Sequence, residues 1–215
     1  MRAQTSVQLR EPYFTKIFKP VVFALALLPL ALLGLGVWQD TLGANPIETI
    51  TRSLGEWTLR FLLLTLLLSS LRRATGWVQG IRLRRMLGLF AFFYGVLHLL
   101  SYLWLDQFFD WAEIWYDIVE RPFITVGMLA FVLMSPLALT SFKAAIRKLG
   151  RNWQRLHTLI YPLTVLGVLH FWWLADSKAR TEVPLIYAVL LAVLLGERLW
   201  RWSEPRFFNK TPVTR

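Results

Sequence analysis

The residues of this chain best suited to metal or redox chemistry are its three histidines. His98, His157 and His170 are the only imidazoles in 215 residues, and each lies in a long apolar stretch. An ionisable side chain inside a membrane-length apolar segment is costly, so it is a functional candidate by default. The chain has no cysteine, which excludes disulfides, thiolate-held zinc or iron–sulfur centres, thiolate nucleophiles and c-type haem attachment.

Six apolar segments predict six membrane-spanning helices that would position these histidines. A spanning helix needs about 20 mostly apolar residues, because a rise of about 1.5 Å per residue must cross about 30 Å of hydrocarbon. With 56% hydrophobic and 17% charged residues, the composition is not that of a soluble domain. We predict an all-α, polytopic membrane bundle that forms one transmembrane domain over residues 1–215, with spans at about 20–38, 53–71, 86–105, 122–142, 155–175 and 182–200.

The charges predict that both termini face the cytoplasm. Of the 24 Lys and Arg residues, 19 fall in the two termini and in the second and fourth connections between spans. Nine of the 13 Asp and Glu residues fall in the other connections. Short connections rich in Lys and Arg stay in the cytoplasm. The net charge of +11 thus follows a membrane pattern, and we expect lipid rather than nucleic acid as the partner.

Residues 106–120 predict an amphipathic helix in the outer, periplasmic membrane interface. Acidic residues recur there at steps of three and four, with apolar side chains on the opposite face. The acidic residues are Asp106, Asp110, Glu113, Asp117 and Glu120. Two interpretations stay open: a helix that simply lies on the membrane surface, or an acidic surface that docks a partner on that side.

The depths of two histidines predict that they ligate one metal ion. His98 lies 12 residues into the third span and His170 lies 14 residues into the fifth, which is about 18 and about 21 Å from the cytoplasmic side. Imidazoles at nearly equal depth on parallel spans can bind one ion from opposite sides. Two imidazoles in an apolar shell suit b-type haem, whereas zinc takes more ligands. We therefore predict His98 and His170 as the axial ligands of haem iron.

Two further residues have two interpretations each. His157 lies near the cytoplasmic face, where it either contacts a haem, flavin or quinone, including as an iron ligand, or forms interfacial hydrogen bonds. The positions facing it on the third span are Arg84 and Arg85, so a second haem would lack an imidazole there. Arg60 follows Glu56 by four residues near the outer face. It either neutralises that carboxylate or binds a haem propionate.

Several short motifs in a fixed order carry a family resemblance. They are Arg-Arg-Met-Leu-Gly-Leu at 84–89 before His98, Arg-Pro-Phe-Ile-Thr-Val-Gly at 121–127, Thr-Ser at 140–141, Leu-Gly-Arg-Asn-Trp-Gln-Arg-Leu-His at 149–157, Tyr161 and His170. With them the chain resembles the ferric-reductase-like transmembrane family, and within it the haem-binding membrane subunits of bacterial periplasmic methionine-sulfoxide reductase systems. The resemblance covers nearly the whole chain.

The resemblance implies a multi-pass electron-transfer subunit of the bacterial inner membrane. Its partner would be a periplasmic molybdopterin-containing catalytic subunit, in a heterodimer that repairs oxidised methionines of periplasmic proteins. The resemblance also implies haem b and FMN as cofactors, and the quinone pool or a cytosolic flavin reductase as the electron donor. Members of the wider family often carry two histidines on each of the third and fifth spans, with two stacked haems. Here the third span has only His98.

The residues themselves favour electron transfer, with the substrate chemistry on a partner. We predict no catalytic residue, because no nucleophile, carboxylate pair or metal–water site is visible in the sequence. Only 19 residues follow the last predicted span, so we expect no nicotinamide or flavin domain there. Two alternatives stay open. One is a small transporter or proton-conducting protein that uses the histidines as relays. The other is a self-contained quinol-linked reductase that acts directly on a periplasmic substrate.

Overall fold

The computed structural model of the chain describes residues 13–176 and 181–203, and every regular element within them is a helix. Six of these helices are long and apolar enough to cross a membrane. The prediction of an all-α, multi-pass membrane bundle with six spanning helices is confirmed. The charged ends of the chain, together with Lys178 and Arg180, lie outside the described residues. The side of the membrane that the termini face therefore stays a prediction.

The helices follow one another through short connections. They are α1 (Lys19–Trp38), α2 (Pro46–Thr75), α3 (Gly80–Leu100), α4 (Trp111–Glu120), α5 (Pro122–Leu139), α6 (Lys143–Leu149), α7 (Arg151–Leu156), α8 (Ile160–Asp176) and α9 (Glu182–Ser203). A π-helical turn at Phe14–Phe18 precedes α1, and a second one at Ser101–Asp106 extends α3. A 3-10 turn at His157–Leu159 joins α7 to α8, so these three elements together form the fifth span.

A polar cap and a proline place the start of α2 well before its apolar run. Asn45 accepts a hydrogen bond from the backbone N–H of Glu48 at 3.2 Å, and Pro46 occupies the first turn. Both are signals of a helix N-terminus. Helix α2 therefore starts seven residues before the predicted residue 53. This extension adds two turns at the end of the bundle where the candidate site lies.

The centre of the bundle consists of two antiparallel helix pairs, α2 with α3 and α5 with α8. Along the first pair Thr58 lies opposite Gly95 and Thr65 opposite Gly88, so small residues let the two backbones approach closely. Helix α9 packs on α8 and α2, and α1 packs on α2 and α3. The outward faces of these helices are apolar and exposed, as a lipid environment requires.

Two of the five predicted acidic residues have structural roles in α4: one caps the helix and the other ties it to the bundle. Asp110 is the N-cap and accepts hydrogen bonds from two backbone N–H groups of the first turn. Asp117 is completely buried. It accepts hydrogen bonds from the Tyr102 hydroxyl and the Gln107 amide, each at 3.0 Å, and pairs with Arg121 at 3.1 Å. The acidic residues therefore do not form one continuous exposed face, because the tether to α3 takes Asp117 out of it.

The exposed surface of α4 is dominated by aromatic side chains. Trp111 and Trp115 are 66% and 68% exposed, and Tyr116 and Val119 lie beside them on the surface. Indole and phenol rings favour the boundary between lipid and water. These exposures favour the membrane-surface interpretation of α4 over the acidic docking surface.

The orientation of the bundle can be tested with reporter fusions. We expect alkaline phosphatase, which folds only after export, to be active when fused after Asp176 and inactive when fused after Gly150. The physical reason is the Lys and Arg bias of the connection that contains Gly150. The reverse pattern of activity would contradict the predicted orientation.

Candidate functional site

His98 and His170 meet in the interior of the bundle. His98 lies on α3 and His170 on α8, with ring centres 6.1 Å apart and ring planes at 74°. Two imidazoles that ligate one metal ion from opposite sides have ring centres about 6 Å apart, because each ligating nitrogen lies about 2 Å from the metal. The spacing of these two rings therefore suits a site for one ion between them.

Each ring is oriented by a backbone carbonyl of the adjacent helix. His98 Nδ1 donates to the carbonyl oxygen of Thr51 on α2 at 2.8 Å, and His170 Nδ1 donates to that of Phe123 on α5 at 2.6 Å. A carbonyl oxygen only accepts hydrogen bonds, so Nδ1 must carry the proton and Nε2 keeps its lone pair. Histidines that ligate metals are commonly held in this way.

A glycine four residues after each carbonyl makes room for the ring. A Cβ added at Gly55 would lie 3.0 Å from His98 Cε1, and one added at Gly127 would lie 2.8 Å from His170 Cε1 and Nδ1. Residues i and i+4 of a helix share one face. A larger side chain at either position would therefore press on the ring and cover the carbonyl to which it bonds.

The same contacts occur twice along the chain, 72 residues apart. Thr51 and Gly55 on α2 correspond to Phe123 and Gly127 on α5, and Gly-Val-Leu-His occurs at 95–98 and again at 167–170. These carbonyl and glycine positions are not among the predicted site residues. The repeated tetrapeptide is the sequence signal that points to them, because a fixed spacing between two helix pairs implies equivalent contacts.

A cavity of about 500 Å³ lies between α2, α3, α5 and α8 around the two rings. This volume is within the range of about 300–1,000 Å³ that is usual for cofactor sites. Most of the wall is apolar, including Leu59, Leu62, Met128, Phe131, Met134 and Phe171. One end is polar and is lined by Asn45, Glu48, Arg52, Tyr102, Asp106 and Arg121. The cavity thus suits a large, mostly apolar ligand that carries polar groups at one end.

The donor set fits haem better than an isolated metal ion. Among the residues that the structure describes, no group of three or more His, Asp or Glu side chains could hold a metal, whereas zinc takes three or four ligands. The hydroxyl of Thr51 in the cavity wall is buried without a hydrogen-bond partner. A buried hydroxyl without a partner is explained when a bound group or a water molecule supplies the missing hydrogen bond.

Arg60 lies outside this cavity wall. Its Nη2 pairs with Glu56 Oε2 at 2.6 Å, its Nε donates to the Tyr187 hydroxyl at 2.9 Å, and its guanidinium lies over the Trp57 ring. Arg60 lines a second, polar cavity of about 610 Å³, which shares Asn45, Glu48, Arg52 and Glu56 with the first. These contacts favour the interpretation that Arg60 neutralises the carboxylate of Glu56. Propionate binding by Arg60 stays a prediction.

His157 lies apart from the other two histidines, in the 3-10 turn between α7 and α8. Its Nε2 is 3.3 Å from Thr140 Oγ1, and its ring stacks on Trp153 with ring centres 4.0 Å apart. The Trp153 indole N–H donates to the carbonyl oxygen of Thr140 at 3.0 Å. This small cluster ties the end of α5 to the fifth span. Its contacts are those of an interfacial hydrogen-bonding residue, and contact with a cofactor stays a prediction.

Comparison with known proteins identifies the family. The sequence model described as "ferric reductase like transmembrane component" matches residues 54–168, which include His98 and end two residues before His170. A protein of Azospira oryzae is 57% identical over 86% of this chain and 78% of its own length. One of Herminiimonas arsenicoxydans is 51% identical over 87% of both chains. One of Xanthomonas euvesicatoria is 52% identical over 87% of this chain and 88% of its own.

All three relatives carry the name "protein-methionine-sulfoxide reductase heme-binding subunit MsrQ". The matched regions include the two helix pairs that carry the paired histidines, and the identities hold over most of each protein. The chain therefore belongs to the ferric-reductase-like transmembrane family and, within it, to the MsrQ group.

Proposed function

We propose that this protein is a b-type cytochrome of the bacterial inner membrane that passes electrons to a methionine-sulfoxide reductase on the periplasmic side. The observation that carries the proposal is the pair His98 and His170, whose rings lie 6.1 Å apart in one cavity. The relatives supply the link to methionine sulfoxide, since their names describe a haem-binding subunit of such a reductase.

The chain's own residues hold, orient and isolate the cofactor in this proposal. His98 and His170 bind the iron through Nε2, while the carbonyls of Thr51 and Phe123 fix the planes of their rings. The apolar wall excludes water from the iron, which influences the reduction potential. When bound, the haem supplies reversible one-electron transfer, chemistry that the side chains alone cannot provide.

Arginines at the polar end of the cavity are the best-placed partners for haem propionates. Arg52 and Arg121 both line that end. Each already pairs with a carboxylate, Arg52 with Glu56 and Arg121 with Asp117, and each keeps further N–H groups for an acidic ligand. Arg60 is not in the wall of this cavity and lines the adjoining polar cavity instead.

The family resemblance and the position of the polar end support a proposal for the donor and acceptor of electrons. We propose that electrons leave through the polar end, beside α4, to a periplasmic molybdopterin-containing catalytic subunit in a heterodimer. The quinone pool or a cytosolic flavin reductase supplies them. FMN is proposed as a second cofactor from the resemblance alone, with no described residue assigned to it.

Replacing either paired histidine should remove the haem. We expect His98→Ala and His170→Ala to lose the low-spin Soret band of the purified protein, because each variant removes one of the two imidazole nitrogens that make the iron low-spin. Free imidazole should restore part of the band. His157→Ala is the matched control and should keep it, because His157 has no imidazole partner. A colourless wild-type protein that transports a solute in vesicles would instead favour the His-relay alternative.

Adding a single methyl group beside His170 should weaken haem binding. Gly127→Ala places a Cβ against the ring, and we expect haem affinity to fall about tenfold, which is the lower end of effects seen when the support of a metal ligand is disturbed. Gly34→Ala is the control, because a Cβ at Gly34 meets nothing within 4 Å. The measurement is the ratio of haem to protein after purification. Equal ratios in the two variants would contradict the role given to Gly127.

The reduced protein should need its partner in order to act on substrate. After chemical reduction, we expect the protein alone to stay reduced in the presence of methionine sulfoxide. It should be reoxidised when the catalytic subunit is added, and the absorbance of the haem follows both states. Rapid reoxidation without the partner would favour the self-contained reductase.

A further inference from the structure

Arg198 on α9 carries buried guanidinium nitrogens that the protein does not satisfy. Its Nη2 donates to the carbonyl oxygen of Leu66 on α2 at 2.8 Å, and its guanidinium lies 5.1 Å from the centre of the Tyr161 ring. Its Nε and Nη1 are buried and have no hydrogen-bond partner. Buried donors of a charged group are rarely left without a hydrogen bond. We therefore expect the two nitrogens to bind an acceptor that is not part of the described chain.

Other arginine side chains lie near the guanidinium group of Arg198. Arg73 on α2 and Arg84 on α3 lie close enough to Arg198 to repel it, and Arg84, like Arg198, lies near Tyr161. Glu197 is the carboxylate of this region, and its oxygens pair with Arg73 at 3.0 Å and with Arg201 at 2.9 Å. Glu197 also attracts Arg198, but its oxygens bond to Arg73 and Arg201, so Nε and Nη1 of Arg198 still lack an acceptor in the part of the chain that the structure describes.

Two half-buried guanidinium groups close together, with buried N–H donors that lack acceptors, are expensive. The cost of removing a charged group from water is recovered only when an opposite charge and hydrogen bonds replace the water. A phosphate group would meet both needs, because it carries about −1.5 to −2 charges as a monoester at pH 7 and offers several strong acceptor oxygens. Guanidinium is also the side-chain group that matches phosphate best.

We propose that Arg84 and Arg198, beside Tyr161, form a binding site for a phosphate group at the end of the bundle opposite the paired histidines. Arg84 lies 14 residues before His98 on α3, about 21 Å away along the helix. The site is therefore separate from the haem cavity and does not rest on the haem assignment. The phosphate belongs either to a lipid headgroup or to a phosphorylated molecule in solution, since this end is predicted to face the cytoplasm.

Thermal unfolding of the full chain in an uncharged detergent tests the site. Inorganic phosphate should raise the unfolding midpoint saturably over sodium chloride of equal ionic strength, because a ligand that binds only the folded state stabilises it. Arg198→Gln and Arg84→Gln should each weaken the apparent phosphate affinity by about tenfold, as expected when a charged hydrogen-bond partner is lost. Arg72→Gln and Arg85→Gln remove the same charge from exposed positions on α2 and α3 and should keep the response.

A second experiment, in lipid vesicles, distinguishes a lipid headgroup from a soluble phosphorylated ligand. The same five proteins are placed in vesicles of phosphatidylcholine with and without phosphatidylglycerol. Stabilisation that requires phosphatidylglycerol, is absent with inorganic phosphate and is lost in the Arg84 and Arg198 variants assigns a lipid headgroup. Stabilisation by inorganic phosphate alone assigns a soluble phosphorylated ligand.

The stability of the variants without any phosphate distinguishes a binding role from a structural one. In chloride alone, Arg198→Gln should unfold at or above the wild-type midpoint, because it removes a positive charge that nearby arginines repel and buried donors that lack acceptors. A variant that unfolds well below the wild type and yet responds normally to phosphate would overturn the proposal. Equal responses in all five proteins, or no response to either source, would overturn it as well.

Discussion

Two hydrogen bonds between imidazole and backbone carbonyl set the geometry on which the rest of this bundle depends. A helical carbonyl already accepts the N–H of the residue four positions later, and its second lone pair is usually covered by side chains. In this protein that residue is glycine, Gly55 in one case and Gly127 in the other, so an imidazole from the adjacent helix can reach the free lone pair. Ring orientation is thereby tied to the backbone rather than to a flexible side chain.

The 72-residue correspondence between the two helix pairs explains why the site is nearly symmetric at one end and asymmetric at the other. At the end near α4, the repeat supplies equivalent carbonyls, glycines and histidines from both pairs. At the opposite end, His157 corresponds to Arg85. One end can therefore present two imidazoles to a single ion, whereas the other presents one imidazole among guanidinium groups. This difference between the two ends is consistent with the haem proposed at one end and the phosphate proposed at the other.

Much of this arrangement could be predicted from the sequence, and the remainder depended on helix ends and helix rotation. Apolar runs were sufficient for the six spans, and counting residues from the cytoplasmic side was sufficient to pair His98 with His170. The early start of α2 depends on the cap at Asn45, which hydropathy does not detect. Asp117 fits an acidic stripe by spacing, but the position of Tyr102 on α3 draws it into the interior. Whether Arg60 or Arg52 faces the cavity depends on the rotation of α2, which only packing determines.

Electron paramagnetic resonance of the oxidised, haem-loaded protein tests the central claim most directly. The two rings stand at 74° to each other. Nearly perpendicular imidazole planes leave two of the iron d orbitals close in energy, and such iron gives a strongly anisotropic low-spin signal. The account predicts one signal of this kind, with an intensity of one iron per chain. A high-spin signal, or two distinct low-spin signals of equal intensity, would contradict a single iron held between His98 and His170.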